Sequence, residues 1–123
     1  MATLLFITDL YYQAQGREYH SEDVFLTGRL REHFPLVMCH PRDSAAFEGA
    51  ADLIVFRNAG SVVHYADAYQ AFRQRVRTRG LKTYNAFDGN GDMNGKDYLV
   101  AMTQAGLPVI PTIDTVGELA RLP

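Results

Sequence analysis

The feature that most restricts the fold is an apolar run that does not alternate: TLLFIT, Thr3 to Thr8. A strand with one wet face shows a period of two. A continuous β-branched and aromatic run reads as a strand covered on both faces, as in a parallel sheet. LVMCH (Leu36 to His40), DLIVFRN (Asp52 to Asn58) and LKTYN (Leu81 to Asn85) read as three further strands. LPVIPTI adds a short final strand whose two prolines suit an edge or an exit.

Helical signals separate these runs. Ser21 caps a helix with Glu22 and Asp23 in its first turn, where acids favour the dipole. Val24, Leu26, Leu30 and Phe34 give it a rough apolar face, and Pro35 ends it. RDSAAFEGA reads as a loop with a turn of helix. Tyr65, Tyr69, Phe72 and Val76 follow i, i+4, i+7, i+11 spacing on a second helix, which runs to about Arg79 and stops at Gly80. A third helix carries Tyr98, Leu99, Met102 and Ala105 and stops at Gly106. Thr115 with Glu118 forms a capping box for a last one.

Strands that alternate with helices imply an α/β fold: an open, mostly parallel sheet with helices on both faces, Rossmann-like or flavodoxin-like. Functional groups in such sheets collect beyond the carboxyl ends of the strands. Those ends are Thr8-Asp9, Cys39-His40, Arg57-Asn58 and Tyr84-Asn85. The irregular stretch after the first strand, with Arg17 and His20, belongs to the same rim and has the length of a binding loop.

Composition narrows the partners. A net charge of −2 gives no field that recruits nucleic acid or membranes. The single cysteine, Cys39, rules out an intrachain disulfide and fits a reducing, cytoplasmic setting. The apolar run near the N-terminus is too short for a signal peptide or a membrane span. The basic run RQRVRTRGLK reads as a solvated helix face, because Tyr69 and Phe72 belong to the core stripe and leave no aromatics for bases.

DGNGDMNGKDYL, Asp88 to Leu99, imitates a calcium loop, with Asp88, Asn90 and Asp92 at alternate positions. Met93 stands where the sharp turn needs glycine, and Leu99 where a bidentate glutamate belongs. Calcium is therefore not expected. A phosphate loop fails on spacing: Gly91 and Gly95 are one residue too close, and Asp97 follows Lys96. Two readings of Lys96 stay open. It contacts a phosphate at a helix start, or Asn94 caps that helix and Lys96 is solvated. Cys39 and His40 are adjacent on a strand, so their side chains point to opposite faces and form no catalytic pair. The four histidines show no ligand spacing. Neither a catalytic nor a metal-binding residue is assigned.

The C-terminal half resembles the entry region of the ATP-grasp superfamily, which includes glutathione synthetases, D-alanine–D-alanine ligases and ribosomal-protein glutamate ligases. The resemblance rests on Asn85 at a strand end, Lys96 with Asp97 at a helix start, and AGLPVIPT from Ala105 to Thr112. It covers about Asp52 to Leu122. Two departures stand out: the order is Lys-Asp rather than Asp-Lys, and the chain ends at Pro123, where the ATP-grasp subdomains should begin.

The resemblance implies a pre-ATP-grasp domain over residues 1–111, with 112–123 starting the ATP-grasp region. It implies ATP-dependent carboxylate–amine or carboxylate–thiol ligation through an acyl-phosphate, with ATP and Mg²⁺ as cofactors of the longer enzyme. Neither is expected to bind tightly to these 123 residues alone, and the fragment alone should not ligate. Lys96 would face the ATP phosphates. Asp9, Arg17, Arg57 and Asn58 would line the side of a small carboxylate or amino-acid substrate. Arg57 is the natural carboxylate partner, because its fork gives bidentate bonds; an ion pair with a nearby acid is the other reading. The expected partner is the ATP-grasp domain or a second copy of the chain. A non-enzymatic binding or dimerisation module of flavodoxin-like shape is the alternative.

Overall fold

The computed structural model describes residues 1–10, 13–14, 16–57, 62–84, 87 and 97–121. They belong to two compact units, Met1–Phe87 and Asp88–Pro123. The expected boundary after residue 111 lies inside the second unit. Asn58, Asn85 and Lys96, with the rest of the 88–96 stretch, fall outside the described residues.

In chain order the first unit contains β1 (Leu4–Thr8), β2 (Gln13–Ala14), β3 (Arg17–Glu18), α1 (Tyr19–Leu30) and β4 (Leu36–Cys39). Two 3-10 turns follow, Pro41–Ala46 and Glu48–Ala50, then β5 (Leu53–Arg57), a 3-10 turn (Val62–Tyr65), α2 (Ala66–Arg79) and β6 (Thr83–Tyr84). β4, β1, β5 and β6 form, in that order, a four-stranded sheet whose pairings are all parallel. The α/β architecture read from the continuous apolar runs is the one observed. β1 lies inside the sheet, and every one of its five residues is buried.

Helices cover both faces. Phe56 meets α2 through Tyr69 and Phe72, with ring centroids 5.4 and 5.1 Å away, and Phe87 joins at 6.0 Å. Val55, on the opposite face because successive strand residues alternate, shares an apolar groove with Leu4, Phe6 and Leu53 of the sheet and Leu26 and Leu30 of α1. α2 runs as its apolar stripe predicts. Gly80 ends it at φ 62°, a left-handed turn that glycine adopts without a Cβ penalty.

Three expectations change. The stretch after β1 contains a small antiparallel hairpin, in which Ala14 pairs with Arg17 and Gln13 with Glu18. α1 begins at Tyr19 with Glu18 as its N-cap; the Ser21 hydroxyl does not cap the helix but donates to the Glu18 carboxylate at 3.2 Å. α1 also turns an unexpected face inward, for its buried residues are Asp23 and Thr27, while Val24 is 52% and Leu26 41% exposed.

The second unit holds α3 (Asp97–Gln104) and a 3-10 turn, Val116–Arg121, where an α-helix is expected. LPVIPTI forms no strand. Pro108 and Pro111 lack the N–H groups that a ladder needs, and the Thr112 N–H donates instead to the Thr103 hydroxyl at 2.9 Å. No helix among the described residues is long and apolar enough to cross a membrane.

Candidate functional site at the strand ends

Strand order places the site. After β1 the chain adds β4 on one side, then crosses to add β5 on the other. The switch point falls at the carboxyl ends of β1 and β5, the place where open parallel sheets bind ligands. Thr8 and Arg57 are register partners there.

Arg57 extends from the last position of β5 to the first turns of α1. Its Nε pairs with Asp23 Oδ1, and its Nη2 lies 3.3 Å from Glu22 Oε2. Asp23 is completely buried, and its other oxygen accepts from the Thr8 hydroxyl. A buried carboxylate is tolerable only when paired and hydrogen-bonded, and these two partners supply that. α1 therefore turns Asp23 inward rather than an apolar residue.

A second group sits beside it. Asp9, 5% exposed, follows β1, and His40 follows β4. His40 Nε2 lies 3.7 Å from Asp9 Oδ1. His40 Nδ1 accepts the Arg42 N–H at 3.3 Å, which places the ring proton of neutral His40 on Nε2, facing Asp9. The ring meets Tyr65 edge to face, with centroids 5.7 Å apart. Burial, reinforced by the charges of Asp9 and Tyr69, holds the Tyr65 phenol far above its ordinary range. Tyr65 therefore stays neutral at physiological pH.

The arrangement is suited to holding a ligand rather than to attacking one. Cys39 is buried, and burial, with Asp43 and Glu48 nearby, pushes its thiol up to about 11, so it is not a thiolate nucleophile at neutral pH. Among the described residues no three His, Cys, Asp or Glu side chains converge where a metal ion could sit.

No family model, curated protein or solved structure matches this chain.

Of the residues expected at a substrate face, the structure brings Asp9 and Arg57 to the same rim. Arg17 has its backbone in β3, and its side chain is outside the described set, as are Asn58 and Lys96. Both readings of Arg57 bear on what is observed: it stands at the strand end, and its fork is engaged by two acids of α1. Thr8, Glu22, Asp23, His40 and Tyr65 complete the site. The strand-end rule points to Thr8 and His40, whereas Asp23 reads in sequence only as a helix-start acid.

The basic run of α2 differs from a freely solvated face. Arg75 and Arg79 both reach the buried Glu48, and Arg73 lies over the Tyr69 ring, 5.8 Å from its centroid.

Proposed function

We propose that this chain is the substrate-side domain of an ATP-dependent carboxylate–amine or carboxylate–thiol ligase of the ATP-grasp kind, working in the cytoplasm. The observation that carries the reading is Arg57, a guanidinium at the switch point of a parallel sheet, between Thr8 of β1 and the first turns of α1. The ordered series Asn85, Lys96-Asp97 and Ala105 to Thr112 supplies the ligase character. In this reading Arg57 draws a substrate carboxylate to the rim, and Asp9, just past the end of β1 on that rim, would receive an amine donor. Lys96, matching the family's helix-start lysine, would contact the phosphates of ATP. Phosphoryl transfer from ATP would activate the carboxylate as an acyl-phosphate and release ADP; attack of the amine or thiol on the acyl carbon would then expel inorganic phosphate. This chain's contribution is to bind and orient the acid.

Hydroxylamine trapping tests it. The product of the full natural reading frame, supplied with Mg-ATP and a panel of carboxylates and amino acids, should yield a hydroxamate from at least one acid. Arg57→Met should raise KM for that acid. ATP-independent behaviour across the panel, with no hydroxamate, overturns the reading.

The apolar groove favours a second reading, a non-enzymatic dimerisation module. Leu26, Phe34, Leu53 and Tyr84 line that groove and are all exposed, and a second copy would cover them. Sedimentation equilibrium should then show a concentration-dependent dimer that Leu53→Lys abolishes; a monomer at all concentrations removes this reading.

A further inference from the structure

Glu22 and Asp23 are neighbours in sequence, yet they hold Arg57 in different ways. Asp23 is fully buried, fixes Nε, and is itself fixed by the Thr8 hydroxyl. Glu22 comes from the solvent side: its side chain is 38% exposed, the Arg57 side chain is 34% exposed, and Nη2 is 3.3 Å from Oε2. Removing a carboxylate like Asp23 strands a buried cation edge and a hydroxyl donor. A half-exposed pair like Glu22–Arg57 is weak and screened by salt. One carboxylate belongs to the fold, and the other is replaceable.

We propose that Glu22 is an internal stand-in for the ligand's carboxylate. It occupies the outer edge of the Arg57 fork in the free protein, and a carboxylate arriving from solvent displaces it. The proposal rests on Arg57 being the carboxylate clamp of the proposed function, and it adds to that reading a built-in competitor. The chemistry of exchange sets what the site accepts. An incoming group must be an anion that gives Nη2 a charged acceptor oxygen, as Glu22 does through Oε2, so a neutral amide of the same shape does not displace it. Glu22 thereby keeps the outer edge of the guanidinium occupied while no ligand is bound, and raises the affinity threshold for weak anions.

Competition sets the size of the effect. An exposed pair of ordinary strength favours its closed form by a factor of a few, so deleting it tightens ligand binding roughly two- to sixfold. Glu22→Gln should do this. Glu32→Gln makes the same charge change on an exposed acid that pairs with Arg29, and controls for net charge.

The experiment is a titration of the ¹⁵N-labelled protein with glutarate at fixed ionic strength, following the Arg57 Nε–H resonance assigned through Arg57→Lys. Glutaramide is the neutral control. The expected result is tighter glutarate binding to Glu22→Gln by about two- to sixfold, no change for Glu32→Gln and no response to glutaramide. Binding seen only in Glu22→Gln supports the proposal equally. Equal affinity of wild type and Glu22→Gln overturns the stand-in and leaves the clamp intact. Equal tightening in both glutamine variants overturns it as a mere charge effect. Glutarate bound by none of the proteins overturns the clamp and the stand-in together.

Discussion

Arg75 grips Glu48 with two edges of its fork: Nε is 2.8 Å from Oε2, and Nη2 is 2.8 Å from Oε1. The Glu48 side chain is fully buried, while that of Arg75 keeps 26% of its surface in solvent. The Ser44 hydroxyl donates to the same carboxylate at 3.1 Å, and Arg79 reaches it at 3.3 Å. The pair ties the turns after β4 to α2, and its two halves are unequal. Arg75→Met leaves a buried carboxylate with the Ser44 hydroxyl and a longer contact to Arg79, and should cost about 3–5 kcal/mol. Glu48→Gln keeps an acceptor and leaves arginines that can rehydrate, and should cost only about 1–3 kcal/mol. Urea denaturation of the two variants checks the order. Equal losses would mean that stranding the buried carboxylate costs no more than stranding its half-exposed arginines.

Cys39 gives a pH signature in the alkaline range. Its thiol rises from an ordinary value of 9.0 to about 11 in the folded chain, mainly through burial, then through Asp43 and Glu48. The unfolded chain therefore loses the thiol proton first. Stability from this group is fully present below pH 9.0 and falls as pH rises toward about 11. The total is about 2–3 kcal/mol from a shift of this size. Cys39→Ala should flatten that part of the curve. Iodoacetamide should modify Cys39 of the native protein at pH 8 far more slowly than the urea-unfolded chain.

How much of this was legible in the sequence depends on the distance between partners. LLFIT declares a strand buried on both faces, because nothing along it offers solvent a polar side. Tyr65, Tyr69 and Phe72 declare the buried stripe of α2, because their spacing is local. Asp23 declares nothing of its role. It resembles any acid at a helix start, since Thr8 lies 15 residues away and Arg57 farther still. Glu48 sits in the unremarkable segment FEGA, and Arg75, the residue that pairs with it, is 27 residues on. The missing final strand has a different cause. Apolar pattern alone makes LPVIPTI a strand, but two prolines remove the donors that would pair it, and a side chain of α3 takes the Thr112 N–H.

Gly80 tests a purely conformational cost. Its φ of 62° closes α2, and a Cβ placed there meets nothing within 4 Å. Gly80→Ala should lower stability by about 1 kcal/mol through backbone strain with no steric clash. Gly80→Asn, which tolerates the left-handed region better, should lose less. Thermal unfolding followed by circular dichroism reads both. A loss in the alanine variant well beyond that size would point to a clash that the open space around Gly80 excludes.

Thr8 and Arg57 share Asp23, so their substitutions should not add. The Thr8 hydroxyl donates to one carboxylate oxygen and Arg57 Nε holds the other, and both groups sit at the carboxyl ends of paired strands. Thr8→Val keeps the shape and removes one donor, at a cost of about 1–3 kcal/mol. Arg57→Met leaves Asp23 buried with the Thr8 hydroxyl and should cost about 3–5 kcal/mol. In the double variant both losses fall on one carboxylate, and groups that share one network do not contribute independently. A double-mutant cycle by chemical denaturation at pH 7 should therefore return a coupling of about 1–2 kcal/mol. Strict additivity would mean that Asp23 finds a substitute partner, and that the inward turn of α1 serves packing rather than the charge of Arg57.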